Sequence, residues 1–333
     1  MATDQVIVPS ASWRRNIPVG MIEDASKHVY EAAIRTPLVR LNYQPMPSRD
    51  GLTEIYLKLE NLQPIGAFKI RGAYNAVRLL PEEQRRNGVW TVSAGNAAQG
   101  VALAARKAGV PCKVLTMDTA PETKLKAIRS LGAEIVQTTY DECWKALGAR
   151  THPSMDGAFI HPFEDDEFIA GNATAGLEIL EDLPDVDTVV AAFGGGGLSC
   201  GIAAALKEKG SKAQVFAAEP ETAAPFARSL AAGSPQKFPE WKATFVDGCG
   251  GKSVFPRMWD IAHHLLAGSI VCTLEEIQQA MMIVAERNHL IAEGAAACAV
   301  AAGISGKCGS GKVVCVVSGG NIDLSVFSKL MNP

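Results

Sequence analysis

Short apolar runs of five or six residues recur along this chain, each followed by a longer stretch with helical spacing, and that alternation constrains the fold more than any other feature. The clearest runs are Glu54 to Leu59, Val89 to Ser93, Lys113 to Met117, Glu134 to Thr138, Thr188 to Phe193, Gln214 to Ala218 and Val313 to Val317. Helical patterns lie between them at Asn96 to Ala108, Glu122 to Leu131 and Leu198 to Lys209, the first rich in alanine and stopped by Gly109 at a C-cap position. Strands alternating with helices predict an α/β fold of parallel sheets covered by helices. At 333 residues the chain is long for one core, so two lobes are expected. No repeat, low-complexity tract or flexible linker marks where they divide.

Charge and hydropathy narrow the partners. A net charge of −3 with no basic stripe gives no reason to expect nucleic acid or a membrane surface as partner. The longest apolar runs, such as Val189 to Phe193, are strand-sized and far shorter than a membrane span. The opening residues, Met1-Ala-Thr-Asp-Gln-Val-Ile-Val-Pro9, carry an acid and a proline where a signal peptide needs a basic start and an apolar core, so a cytoplasmic location is expected. Eight cysteines, at 112, 143, 200, 249, 272, 298, 308 and 315, form no CxxC pair and no Cys/His cluster at ligand spacing. They read as buried thiols in a reducing compartment. Cys249, inside Asp247-Gly-Cys-Gly-Gly251, is either a spacer or a neighbour of a bound ligand.

Four segments carry chemistry. In Leu57-Lys-Leu-Glu-Asn-Leu-Gln-Pro-Ile-Gly-Ala-Phe-Lys69-Ile-Arg-Gly72 a lysine starts a predicted helix, just after a strand and a glycine-containing turn. Behind an aromatic residue and in apolar company its amine is favoured in the neutral form, because burial penalises the ammonium. Neutral lysine makes Schiff bases. An isolated lysine at a helix start is more often an ordinary surface cation, so the case rests on three further segments downstream. Gly194-Gly-Gly-Gly197 sits directly between an apolar strand and a helix, where backbone N–H groups at the positive end of the helix dipole form an anion site. The Ser93-Ala-Gly-Asn-Ala-Ala-Gln-Gly100 turn lies in the same kind of place and can hold a carboxylate, although capping and tight packing would explain Ser93 or Asn96 singly. Ser318 ends a buried strand before a glycine turn, as a hydrogen bonder at a strand end or as a ligand contact. A nicotinamide-dependent oxidoreductase is the rival class for the glycine turn. Its GxGxxG spacing fits Gly194 and Gly196 only if Ser199 replaces the last glycine, and no acid falls cleanly at the expected distance.

The stretch Glu60-Asn-Leu-Gln-Pro-Ile-Gly-Ala-Phe-Lys69-Ile-Arg-Gly-Ala73 resembles the cofactor-attachment segment of the fold-type II pyridoxal-phosphate-dependent enzymes. Its Phe-Lys-Ile-Arg-Gly-Ala run points to the serine/threonine dehydratase branch, with its catabolic threonine dehydratases and phenylserine dehydratases. The resemblance implies a tryptophan synthase β-like architecture of two lobes, each an open, mostly parallel sheet covered by helices. By matching motifs, residues 1–87 and 164–333 would form the large cofactor-binding domain and residues 88–163 a small mobile domain. It further implies pyridoxal 5'-phosphate held by Lys69, with Phe68 packed near it. Gly194, Gly195, Gly196, Gly197 and Leu198 would receive the phosphate, Ser318 the pyridine nitrogen and Asn96 the phenolic oxygen, with Gly248 and Glu293 near the ring. The loop Ser93, Ala94, Gly95, Asn96, Ala97 and Gln99 would hold the substrate carboxylate. A homodimer is expected as well.

The implied activity is a lyase reaction: dehydration of a β-hydroxy-α-amino acid such as threonine, serine or phenylserine to a 2-oxo acid and ammonia. Freed Lys69 would take the Cα proton, and the β-hydroxyl would leave with a proton supplied by the phosphate. A neutral partner such as Ser318 leaves the ring a weaker electron sink, which suits prompt β-elimination over transamination. Elimination or replacement on diaminopropionate or hydroxyaspartate is the alternative. The chain departs from the pattern in telling places. The usual serine-serine-glycine-asparagine-histidine loop here has Ala94 and Ala97, which removes the acid/base serine of racemase relatives and opens space above the substrate. Glu219-Pro-Glu-Thr-Ala223-Ala-Pro225 falls where some relatives bind a divalent cation, but proline occupies the aspartate position, so no metal is expected. The match runs from Thr36 to Asp323, so the regulatory C-terminal domain of biosynthetic threonine dehydratases, and feedback by isoleucine, are not expected.

Overall fold

The computed structural model describes residues 15–43 and 53–332; Met1 to Pro9, the segment without a signal-peptide pattern, lies outside them. Among the described residues, ten strands form two sheets. They are β1 (Leu38–Arg40), β2 (Thr53–Lys58), β3 (Val89–Val92), β4 (Cys112–Met117), β5 (Glu134–Thr138), β6 (Ala158–Phe159), β7 (Thr188–Ala192), β8 (Gln214–Pro220), β9 (Gly268–Cys272) and β10 (Gly311–Val316). One sheet has the order β1-β2-β10-β7-β8-β9 and the other β5-β4-β3-β6. Every pairing is parallel except β1 with β2.

All seven runs expected as strands are strands, with ends shifted by up to two residues. Three strands escaped the sequence pattern. β6 has only two residues, β1 is a short antiparallel edge strand, and β9 mixes buried and half-exposed positions behind a leading glycine. A central parallel strand is covered on both faces and reads as a continuous apolar run, as β7 does with all five residues buried. The helix Asn96–Ala108 has the expected bounds, and Gly109 closes it with a left-handed φ of 69°.

Packing places the lysine. The helix Lys69–Leu79 crosses Asp166–Asp182 at a point where both chains carry glycine. A Cβ at Gly72 would lie 2.4 Å from the Phe168 ring, and one at Gly171 would lie 2.4 Å from the Arg71 carbonyl oxygen. Beneath this crossing a buried ionic cluster ties four elements together: β2, the short helix Glu60–Leu62 and the two crossing helices. Arg71 Nε donates to Glu60 at 2.7 Å and its Nη1 to Glu178 at 2.6 Å, while Lys58 Nζ meets Glu178 at 2.6 Å. Two cations face two anions, the arrangement that makes burial of charge tolerable. The first residue of this clamped helix is Lys69, so its amine has a fixed position.

The alanine-rich helix Gly294–Ile304 is buried on nearly every face, which marks an internal helix packed between neighbours. Among the described residues, no helix is long and apolar enough to cross a membrane. All eight cysteines are unpaired and buried.

Candidate active site

A cavity of about 450 Å³ opens between the two sheets, and every site residue expected from the sequence lines it. Lys69 and Phe68 stand on one side, the Ser93 to Gln99 loop on a second and the Gly194 to Leu198 turn on a third, with Gly248, Glu293 and Ser318 completing the wall.

Lys69 Nζ donates to the Pro162 carbonyl at 2.6 Å and lies 5.1 Å and 5.3 Å from the centres of the Phe68 and Phe168 rings. Burial among these apolar groups pulls its ammonium down to about 8, against the opposing pull of the Glu293 carboxylate. A neutral amine is therefore within reach near neutral pH.

The glycine turn has two causes. Gly196 adopts φ 87°, a left-handed conformation at the N-cap of the helix Gly197–Glu208. A Cβ on Gly195 would sit 2.1 Å from the Phe163 ring, so glycine is also needed for packing. No described residue accepts from the backbone N–H groups of Gly194, Gly195 or Gly196. The turn thus offers unengaged donors at a helix N-terminus, an arrangement that fits a phosphate.

In the facing loop, Ser93 Oγ accepts from Gly95 N–H at 3.1 Å, so part of its role is to shape the turn. Asn96 is held from two directions. Its Nδ2 donates to Glu293 Oε1 at 2.8 Å, and its Oδ1 accepts from Asn321 Nδ2 at 2.8 Å. Asn321 also donates to the Ile65 carbonyl at 2.7 Å. Burial raises the Glu293 carboxyl to about 7, with the Asp247 charge adding to the effect and the Asn96 hydrogen bond opposing it. Ser318 is buried, and its hydroxyl bonds to no described residue. A pyridine nitrogen would find a free hydroxyl there.

Sequence reading missed Asn321, Phe163 and Trp144, all of which line the cavity, as does Asp247, whose Asp247-Gly248 pair resembles the family's loop against one face of the cofactor. Asn321 had a signal in the Gly319-Gly320-Asn321 turn after a buried strand, but its partners lie more than two hundred residues away. Asp247 is ion-paired with Lys124 at the edge of the cavity. Cys249 is buried next to the cavity wall but does not line this cavity. At the expected weakened cation site, Glu219 instead accepts from the backbone N–H groups of Phe226 and Ala227, each at 2.8 Å, and from the Ser269 hydroxyl at 2.6 Å. Burial raises its carboxyl to about 7, against these hydrogen bonds. Among the described residues, no group of three His, Cys, Asp or Glu side chains is placed to hold a metal ion.

Comparison with known proteins gives a consistent result. Residues 29–319 match the family described as pyridoxal-phosphate dependent enzyme. The L-threonine ammonia-lyase of Thermotoga maritima is 38% identical over 93% of this chain and 77% of its own length. The catabolic L-threonine dehydratase TdcB of Staphylococcus aureus is 35% identical over 98% of this chain and 95% of its own. Among solved structures, maize serine racemase superposes with a TM-score of 0.85 at 30% identity, covering 96% of this chain and 97% of that one. An amine of lowered pKa facing backbone donors at a helix N-terminus, over this length of match, identifies the chain as a fold-type II member of the pyridoxal-phosphate-dependent enzyme family.

Proposed function

We propose that the chain is a dehydratase that converts a β-hydroxy-α-amino acid to a 2-oxo acid and ammonia by β-elimination. The observation that carries this reading is one cavity with the Lys69 amine on one wall, the Ser93 to Gln99 loop on another and no hydrogen-bonded partner among the described residues for the Ser318 hydroxyl. The threonine ammonia-lyases and dehydratases among the relatives support it.

Bound pyridoxal phosphate supplies an electron sink that acidifies the substrate Cα proton. The chain's own groups do the rest. Lys69 anchors the cofactor, and its Nζ receives the Cα proton as general base. The Gly194 to Gly197 amides and Leu198 N–H hold the phosphate, and Phe68 and Gly248 flank the ring. Asn96, fixed by Glu293 and Asn321, would contact the phenolic oxygen of the bound cofactor. The Ser93 hydroxyl, the Gly95 and Ala97 backbone and Gln99 bind the substrate carboxylate. The Cβ–O bond breaks and the hydroxyl departs as water, taking up a proton that balances the one Lys69 Nζ received from Cα. A water then adds back as the imino acid hydrolyses, giving the oxo acid and ammonia. Ala94 brings no proton to the face opposite Lys69, which disfavours racemisation.

Residues 88–163 are read as a body that closes over the substrate. Three contacts support this: the ion pair Lys124–Asp247, the Trp144–Phe255 stack at 5.8 Å, and Lys252 Nζ over the Tyr140 ring at 4.0 Å. Each joins that span to the rest of the chain. Eight unpaired buried thiols support a reducing, cytoplasmic setting.

Purified holoenzyme should release ammonia and 2-oxo acid in equal amounts from at least one of serine, threonine and phenylserine. Equal silence on all three, with pyridoxal phosphate bound, would remove the dehydratase reading. The Lys69 environment adds a pH test. Because its pKa is lowered to about 8, the nucleophilic amine fills as pH rises through that value. Uptake of pyridoxal phosphate by the apoprotein should accelerate between about pH 7 and pH 9 and then level off, as followed by the near-visible band. A rise that continues toward the ordinary lysine pKa of about 10.4 would contradict the buried environment.

A further inference from the structure

A second cavity, of about 290 Å³, adjoins the first and shares Ser93, Ala94, Phe163, Gly194 and Gly195 with it. Its common wall therefore lies between the carboxylate loop and the glycine turn. Trp144 lines both cavities, and beyond it the lining stays aromatic with Tyr140, Trp241 and Phe255, Leu115 and Cys143 filling between them. The walls come from both halves of the molecule. Tyr140, Cys143 and Trp144 stand on the helix Tyr140–Ala149, whereas Trp241 and Phe255 belong to the segment before the helix Pro256–Leu265. Trp144 and Phe255 stack at 5.8 Å and 27°, and Phe163 meets Phe255 edge-on at 5.3 Å.

Resting on the reaction proposed above, we propose that this annex receives the β-substituent of the substrate and that the substituent is an aromatic ring. A substrate with its carboxylate on the Ser93 loop and its nitrogen toward Lys69 directs its β-carbon to the remaining side. There Ala94 supplies only a methyl group where a bulkier or polar side chain would close the way. Aromatic faces at the annex offer edge-to-face and offset contacts to an aryl ring, whereas a methyl or hydrogen substituent would leave most of the annex empty. The charged groups in the wall are already engaged. Lys252 Nζ lies 4.0 Å from the Tyr140 ring centre and 4.8 Å from that of Trp241, and Asp247 is paired with Lys124. Lys252 is the group that an anionic β-substituent would have to recruit from those rings.

The test uses holoenzyme and three substrates: phenylserine, threonine and β-hydroxyaspartate. We expect kcat/KM for phenylserine to exceed that for threonine at least tenfold. Trp241→Ala opens the annex wall and Gly251→Leu fills it; a Cβ at Gly251 meets only the Ser253 backbone, no closer than 3.5 Å. Each should lower the phenylserine-to-threonine ratio at least tenfold. A binding comparison stands apart from turnover: L-phenylalanine should perturb the cofactor's near-visible band at concentrations at least tenfold lower than L-alanine. Equal affinity for these two amino acids, a threonine preference, or a β-hydroxyaspartate preference lost in Lys252→Met would each overturn the proposal. If none of the three substrates turns over, the reaction assignment falls while the binding comparison still decides the annex.

Discussion

Lys69→Ala should reduce turnover by about 10⁴-fold or more and abolish the near-visible absorbance band of the holoenzyme together. The magnitude follows because one side chain is asked both to anchor the cofactor and to move the Cα proton, and general bases alone are typically worth about 10²–10⁴-fold. The fold should survive. The side chain lines a cavity, and the single hydrogen bond it gives up is to the Pro162 carbonyl, which water entering the vacated space can satisfy. Thermal unfolding of the apoprotein measures that directly. A Lys69→Ala protein that kept its band, or more than a hundredth of its rate, would show that another amine carries the chemistry.

Arg71→Met is expected to destabilise the protein by about 3–5 kcal/mol, the usual cost of leaving a buried ion without its partner. Removing the guanidinium leaves Glu178 with Lys58 as its remaining ion partner and Glu60 without a cation among the described residues, all of them buried. Glu60 keeps the Thr36 hydroxyl at 2.6 Å, but Glu178 loses two of its charged hydrogen bonds. Burial raises the Glu178 carboxyl, yet Arg71 and Lys58 outweigh this and hold its pKa below the ordinary 4.5. A depressed carboxylate contributes stability that is present above 4.5 and is lost as pH falls below it, so the wild-type advantage should shrink in acid. Urea unfolding at pH 7 and pH 4 measures both effects. A loss under about 1 kcal/mol at pH 7 would mean that the cluster relaxes around the missing charge. Because this cluster sits under Lys69, the variant should also lower activity in the fraction that remains folded.

The sheets were legible because parallel strands buried on both faces leave continuous apolar runs, as Thr188 to Ala192 does. β1 and β6 were not, since two or three residues at a sheet edge carry too little pattern to separate from loop. Lys69, the Ser93 loop and the glycine turn were legible because each is a local strand-to-helix junction with a chemical reason for its composition. Asn321 and Phe163 were not, because their roles depend on side-chain partners distant in sequence. The glycine turn shows the limit clearly. Its sequence suggests an anion site, yet the strictest demand on Gly195 comes from the Phe163 ring, a packing constraint that only the folded chain reveals.

That contact has a mechanical consequence. Phe163 lies just past the last strand of the four-stranded sheet, four residues beyond β6, and its ring presses on the turn with no slack for even a methyl group. The same ring touches Phe255 and His161, so it acts as a lever arm whose fulcrum is the helix N-terminus. The residue before Phe163, Pro162, accepts from the Lys69 amine, so one short segment touches both the turn that would hold the anion and the amine that faces it.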